Sequence, residues 1–111
     1  MPLPAVDVPA MRHAAMSACA LMKSLSHPDR LVLLCQLSAG PRTVSELEQL
    51  LGIRQPTLSQ QLGVLRDDAL VTTRRDGKRI IYSIAGAPVL AVLETLYQQF
   101  CPAPMSQGAR S

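Results

Sequence analysis

Two short amphipathic stretches joined at a glycine constrain this chain more than any other feature. Thr43-Val44-Ser45-Glu46 has capping-box spacing, a hydroxyl followed three residues on by a carboxylate. It opens a helix with Leu47, Leu50 and Leu51 as its apolar stripe, which Gly52 can end. After Ile53-Arg54, Gln55-Pro56 starts a second helix, with proline expected at its first position and Leu58, Leu62 and Leu65 turned inward. Helices this short are marginal alone and form only by packing their stripes together. The joint at Gly52 therefore specifies a tight corner between two helices.

The flanking segments complete the architecture. Met11 to Leu25 repeats apolar residues at helical spacing. Ser26-His27-Pro28-Asp29 reads as a new helix start, with Ser26 as N-cap, and Gly40-Pro41 as its stop. Leu70 to Ile84 is rich in Val, Ile and Thr and is broken by Asp76-Gly77, a strong hairpin signal. With Asp76-Gly77 as the turn, Arg75 faces Lys78 and Arg74 faces Arg79. Pro88 to Phe100 is a last helix, apolar around more than one side. The expected order is α-α-α-α-β-β-α, a mainly α winged helix-turn-helix with the β-hairpin as wing. Residues 10–101 form that domain, between disordered tails at 1–9 and 102–111.

Composition then removes whole classes of function. Tyr82, Tyr97 and Phe100 are the only aromatic rings in 111 residues, too few for a module that stacks single-stranded bases. No apolar run approaches the ~20 residues of a membrane span, and no export signal opens the chain. Cys19, Cys35 and Cys101 lack metal-like spacing, and in a chain expected in the cytoplasm they read as thiols. His13 and His27 are unpaired, and there is no nucleophile elbow or Gly-rich phosphate loop. The expectation is a non-enzyme without cofactor or metal.

Charge location says more than charge total. The chain carries 11 Lys+Arg and 8 Asp+Glu, a net of +3. Arg74-Arg75-Asp76-Gly77-Lys78-Arg79 alone accounts for that excess, so the rest of the chain balances to zero. A cationic run at a turn is commonly just a solvated tip. Beside a helix-turn-helix, Arg74, Arg75, Lys78 and Arg79 suit phosphate or minor-groove contact. On the second helix of the pair, Gln60 faces outward when Leu58 and Leu62 face in, with Thr57 and Ser59 flanking it and Gln55 at its start. Short polar side chains there can read base edges, or can simply form a polar helix face. The apolar last helix and the Ala/Met-rich first helix offer surfaces for a symmetric homodimer, which would match a palindromic duplex. Cys35 falls on the apolar side of its helix and reads first as a small buried hydrophobe. Cys101 ends the last helix, where exposure is expected, and Cys19 reads as a packing residue.

Ser24-Leu25-Ser26-His27-Pro28-Asp29-Arg30, Gln55-Pro56-Thr57-Leu58-Ser59-Gln60-Gln61-Leu62, Asp76-Gly77-Lys78-Arg79 and Tyr82 resemble the ArsR/SmtB family, bacterial winged-helix repressors that bind operator DNA as dimers. The resemblance spans roughly residues 10–101. Arsenic sensors of that family carry a cysteine cluster before the recognition helix, whereas Thr43 to Glu48 here has none. Zinc and nickel sensors use His and Asp on the last helix, whereas Pro88 to Phe100 has neither. The placement of Cys35 and Cys101 is similar to the dithiol of the sulfide-responsive BigR/SqrR branch. In that branch the reduced dimer binds DNA, and reactive sulfur species or oxidants bridge the thiols and weaken binding. The resemblance thus implies a repressor that senses persulfide or redox state through Cys35 and Cys101. The alternatives it leaves are a metal-responsive or constitutive ArsR-type regulator and an HlyU-like anti-silencer.

Overall fold

The computed structural model describes residues 7–101. The expected tails at 1–6 and 102–111 lie outside the described residues. Residues 8–9, expected as tail, are helical: α1 runs Val8–Leu25, capped by the Asp7 carboxylate accepting from the Ala10 N–H. There follow α2 (Pro28–Leu37), β1 (Arg42–Thr43), α3 (Val44–Leu51), α4 (Thr57–Asp67), β2 (Val71–Asp76), β3 (Arg79–Ile84) and α5 (Ala87–Phe100). This is the mainly helical winged helix-turn-helix expected, with one addition. The two-residue β1 pairs with β3 to give an antiparallel sheet of order β1-β3-β2.

The corner between α3 and α4 forms as its sequence specifies. Thr43 and Glu46 exchange both bonds of the capping box, at 3.2 and 2.8 Å. The Glu46 carboxyl is held below its ordinary range, first by the Thr43 N–H and then by its hydroxyl and by Arg42 and Arg79, against the opposing pull of burial. Gly52 ends α3 at φ +69°, a conformation that costs a residue with a Cβ about 1 kcal/mol. Leu47, Leu58, Leu62 and Leu65 are fully buried with Leu33 and Leu34 of α2, and this group is the centre of the core. Leu50, expected in the α3 stripe, is instead 55% exposed. Eight residues make only two turns, and the core takes Leu47 with part of Leu51.

Two other boundaries shift. Ser26 is not the N-cap of α2; it closes α1, its N–H and hydroxyl both donating to the Lys23 carbonyl. His27 caps α2 instead, its Nδ1 accepting from the Asp29 N–H at 3.1 Å. Pro56 stands at the N-cap of α4 rather than at its first helical position. After α4 the chain turns with the Leu70 N–H on the Leu65 carbonyl and the Ala69 N–H on the Arg66 carbonyl, placing Ala69 at φ +61°. This is the bonding of a Schellman cap, with alanine where glycine is usual.

The wing register also differs from expectation. Asp76 pairs with Arg79, Arg75 with Ile80 and Arg74 with Ile81, so the two-residue turn is Gly77-Lys78. Gly77 takes φ +66° while Lys78 does not adopt a positive φ, the pattern of a turn with glycine at its first central position. The shift of one residue replaces like charges facing each other with an Asp76–Arg79 ion pair at 3.5 Å. Among the described residues no helix is long and apolar enough to cross a membrane.

Candidate nucleic-acid interface and thiol cleft

α4 carries the polar side chains expected to read DNA. Leu58, Leu62 and Leu65 fix its inner face in the core, leaving Ser59 and Gln60 exposed and Thr57 half-buried in the first turn. Gln55 is exposed too, but its Oε1 accepts from the Ser59 N–H at 3.0 Å. It therefore satisfies one of the free N–H groups of the α4 N-terminus, and its own amide nitrogen is what remains to donate outward. Arg54, just before it, adds an exposed cation at the same end of α4. Periodicity could not single that residue out, because it lies in the turn.

On the wing, residues 72–80 are exposed throughout. Successive side chains of a strand alternate faces, so Arg74 and Arg79 share one face and Arg75 projects from the other. Lys78 sits in the turn itself. The exposed ion pair between Arg79 and Asp76 is worth little in water and does not bar Arg79 from a phosphate.

Cys35 and Cys101 come together although helical periodicity placed Cys35 simply in the core. Both line a cleft of about 750 Å³ whose walls include Leu31 and Val32 of α2 and Leu93, Glu94, Tyr97 and Gln98 of α5. Cys35 is half-buried there and Cys101 is exposed. Burial pushes the Cys35 thiol up, and the charge of Cys101 pushes it further. Both are free thiols, as is Cys19, which is exposed on α1 rather than packed. Among the described residues the cleft lining includes no basic side chain, and Glu94 is its one acid. Among the same residues no group of three or more His, Cys, Asp or Glu could hold a metal ion.

Large apolar side chains remain uncovered on the terminal helices. Met11, Met16 and Met22 of α1 and Tyr97 and Phe100 of α5 are exposed, Phe100 at 80%. Single exposed apolar residues are ordinary, but a series along two helices marks an interaction surface.

Residues 27–73 match the family described as "Bacterial regulatory protein, arsR family". The "Biofilm growth-associated repressor" of Agrobacterium fabrum is 49% identical over 96 residues, 86% of this chain and 82% of that protein. Among solved structures, the transcriptional repressor BigR from Xylella fastidiosa superposes with a TM-score of 0.80 at 46% identity, over 87% of this chain and 99% of its own. Reduced HlyU from Vibrio cholerae does so with a TM-score of 0.80 at 33% identity, over 86% and 100%.

Proposed function

The chain belongs to the arsR family of bacterial regulatory proteins, and from that premise we propose that it is a dimeric DNA-binding transcriptional repressor whose hold on its operator is broken when Cys35 and Cys101 are bridged. Relatives named as repressors support reading it as a regulator. α4 lies in the major groove of a palindromic duplex, with Thr57, Ser59 and Gln60 toward the bases and Gln55 capping its N-terminal end. Arg74, Arg75, Lys78 and Arg79 of the wing bind the phosphates alongside. Two copies associate through the exposed apolar faces of α1 and α5, which supports a symmetric arrangement of two α4 helices.

One observation carries the sensing reading: two thiols remote in sequence share one cleft, and the charge of one bears on the other. Cys101, the exposed thiol, attacks first. Its thiolate takes the terminal sulfur of a persulfide R–S–SH, the S–S bond of the donor breaks, and the thiol R–SH leaves. The Cys35 thiolate then attacks the Cys101 sulfur and expels hydrosulfide. The balance is one dithiol plus one persulfide giving one disulfide, one thiol R–SH and one hydrogen sulfide, with the persulfide as oxidant. Further persulfide would lengthen the bridge to a polysulfide.

Mechanically, the bridge ties the end of α5 to α2, which packs directly on α4. A disulfide holds its Cα atoms within about 4.4–6.8 Å, so the bridge constrains where the end of α5 sits on the α2–α4 body. Because α5 also belongs to the dimer surface, the separation of the two α4 helices changes against fixed half-sites. The test is operator binding by the reduced protein before and after a persulfide donor, with mass spectrometry of the bridged peptide. Release accompanied by a Cys35–Cys101 bridge is the expected result. Release that persists when either cysteine is serine would overturn the sensing role, and metal-dependent release with unmodified thiols would favour a metal-responsive regulator.

A further inference from the structure

α1 and α4 do not meet by close packing. A cleft of about 660 Å³ opens between the last turns of α1 and the end of α4, with Leu21 on one side and Val64 on the other. Both helices pack on α2, but side chains of α1 and α4 do not interdigitate across such a gap. Two polar ties cross it instead. The Arg30 guanidinium donates from Nε to the Ser24 carbonyl at 2.7 Å and from Nη2 to the Lys23 carbonyl at 3.3 Å, gripping the open end of α1. The same guanidinium donates from Nη1 to Oε1 of Gln61, in the middle of α4, at 3.1 Å. The second tie is the buried Ser24 hydroxyl, which donates to the carboxylate of Asp68 at the α4 C-cap. Gln61 and Asp68 stand close to two helical turns apart, so both ties hold one side of α4.

We propose that Arg30 is the positioning residue that sets the pitch of α4 relative to α1, and thereby the fit of the two recognition helices to their half-sites. The inference rests on the reading of α4 as the DNA-contacting helix and of α1 as part of the dimer surface. Arginine is required because one planar fork must serve two carbonyls on α1 and an amide oxygen on α4 together. Lysine at position 30 keeps the charge at the α1 C-terminus, and its favourable interaction with the helix dipole, but cannot span the three acceptors. Arg30 itself touches no nucleic acid; it acts through Gln61.

The experiment uses the full reduced chain and a duplex that the wild-type chain enriches from a random pool. Operator affinity is measured against salt for wild type, Arg30→Lys, Gln61→Met and the double variant, with Tm recorded for each. Arg30→Lys is expected to weaken binding about tenfold, the scale of one lost charge-assisted hydrogen bond. The salt slope should be unchanged, because no phosphate contact is removed. Gln61→Met should weaken binding similarly, and the double variant no more than the larger single one. Wild-type affinity in Arg30→Lys would overturn the proposal, as would strict additivity. So would a slope reduced by about 0.9 per half-site, the mark of a direct phosphate contact. If Arg30→Lys does not fold, Gln61→Met decides alone: retained affinity overturns the proposal, and weaker binding at constant slope supports it. A wild-type chain that enriches no duplex overturns the DNA reading itself, an outcome distinct from all of these.

Discussion

Cys35, half-buried on α2, and Cys101, exposed at the end of α5, line one cleft, and the charge of Cys101 adds to burial in raising the pKa of Cys35. The pair is therefore unequal: Cys101 is the more accessible thiol, and Cys35 holds its proton more tightly than a free cysteine does. Cys35→Ser and Cys101→Ser should each bind operator in the reduced state as wild type does, because neither side chain lies on α4 or the wing. Each should stay bound after persulfide treatment that releases wild type. Fluorescence anisotropy with labelled duplex checks both halves of this expectation.

The unequal pair also has a pH signature. The folded chain holds the Cys35 proton more tightly than the unfolded chain, so this thiol's contribution to stability is complete below the unfolded value. It is lost as pH rises through the higher folded value. The Tm of fully reduced wild type should accordingly fall faster than that of Cys35→Ser between about pH 8 and 10. Thermal melts of the two proteins across that interval test it, and parallel curves would remove the linkage.

Within the core, burial separates two leucines that sequence spacing treats alike. Leu62 is fully buried on α4, and Leu62→Ala should cost about 2–5 kcal/mol through lost contacts and a residual cavity. Leu50 on α3 is 55% exposed, so Leu50→Ala should change stability by no more than about 0.5 kcal/mol. Urea titration of each variant at one protein concentration measures both.

What can be read from the sequence follows from how local each signal is. The stripe Leu58, Leu62 and Leu65 is legible because helical period and burial coincide, and the Thr43–Glu46 box because its partners are three residues apart. The hairpin is legible but its register is not: Asp-Gly and Gly-Lys are both workable turns, and the choice depends on setting Asp76 rather than Lys78 within the strand ladder. β1 is two residues with no periodicity to detect, and exists only because β3 offers it an edge. Periodicity casts Cys35 as core, and only the docking of α5 beside α2 brings Cys101 to it; family resemblance supplies the pairing that spacing cannot. The grip of Arg30 on Gln61 likewise joins residues with no shared local pattern.

The wing makes a quantitative claim on electrostatics. Arg74, Arg75, Lys78 and Arg79 all lie in the exposed stretch of the hairpin. Each one that neutralises a phosphate should contribute about 0.9 to the slope of log affinity against log salt, per half-site. Replacing all four with alanine should therefore flatten the slope and weaken binding to every duplex by a similar factor, with little change in Tm. An unchanged slope would leave the cationic tip as a solvated turn.

Gln55 and Gln60 should fail in different ways. Gln60 is exposed on the outer side of α4, opposite Leu58 and Leu62, where it can pair with a base edge. Gln60→Ala should relax discrimination at one position per half-site by about 1–3 kcal/mol and leave Tm in place. Gln55 already spends its amide oxygen on the Ser59 N–H. Gln55→Ala should remove a helix cap at a cost of about 1 kcal/mol in stability, and should lower affinity for all duplexes together rather than at one base pair. Affinities for a set of singly substituted duplexes separate the two patterns. If Gln60→Ala lowers binding uniformly, that residue positions the helix and the bases are read elsewhere on α4.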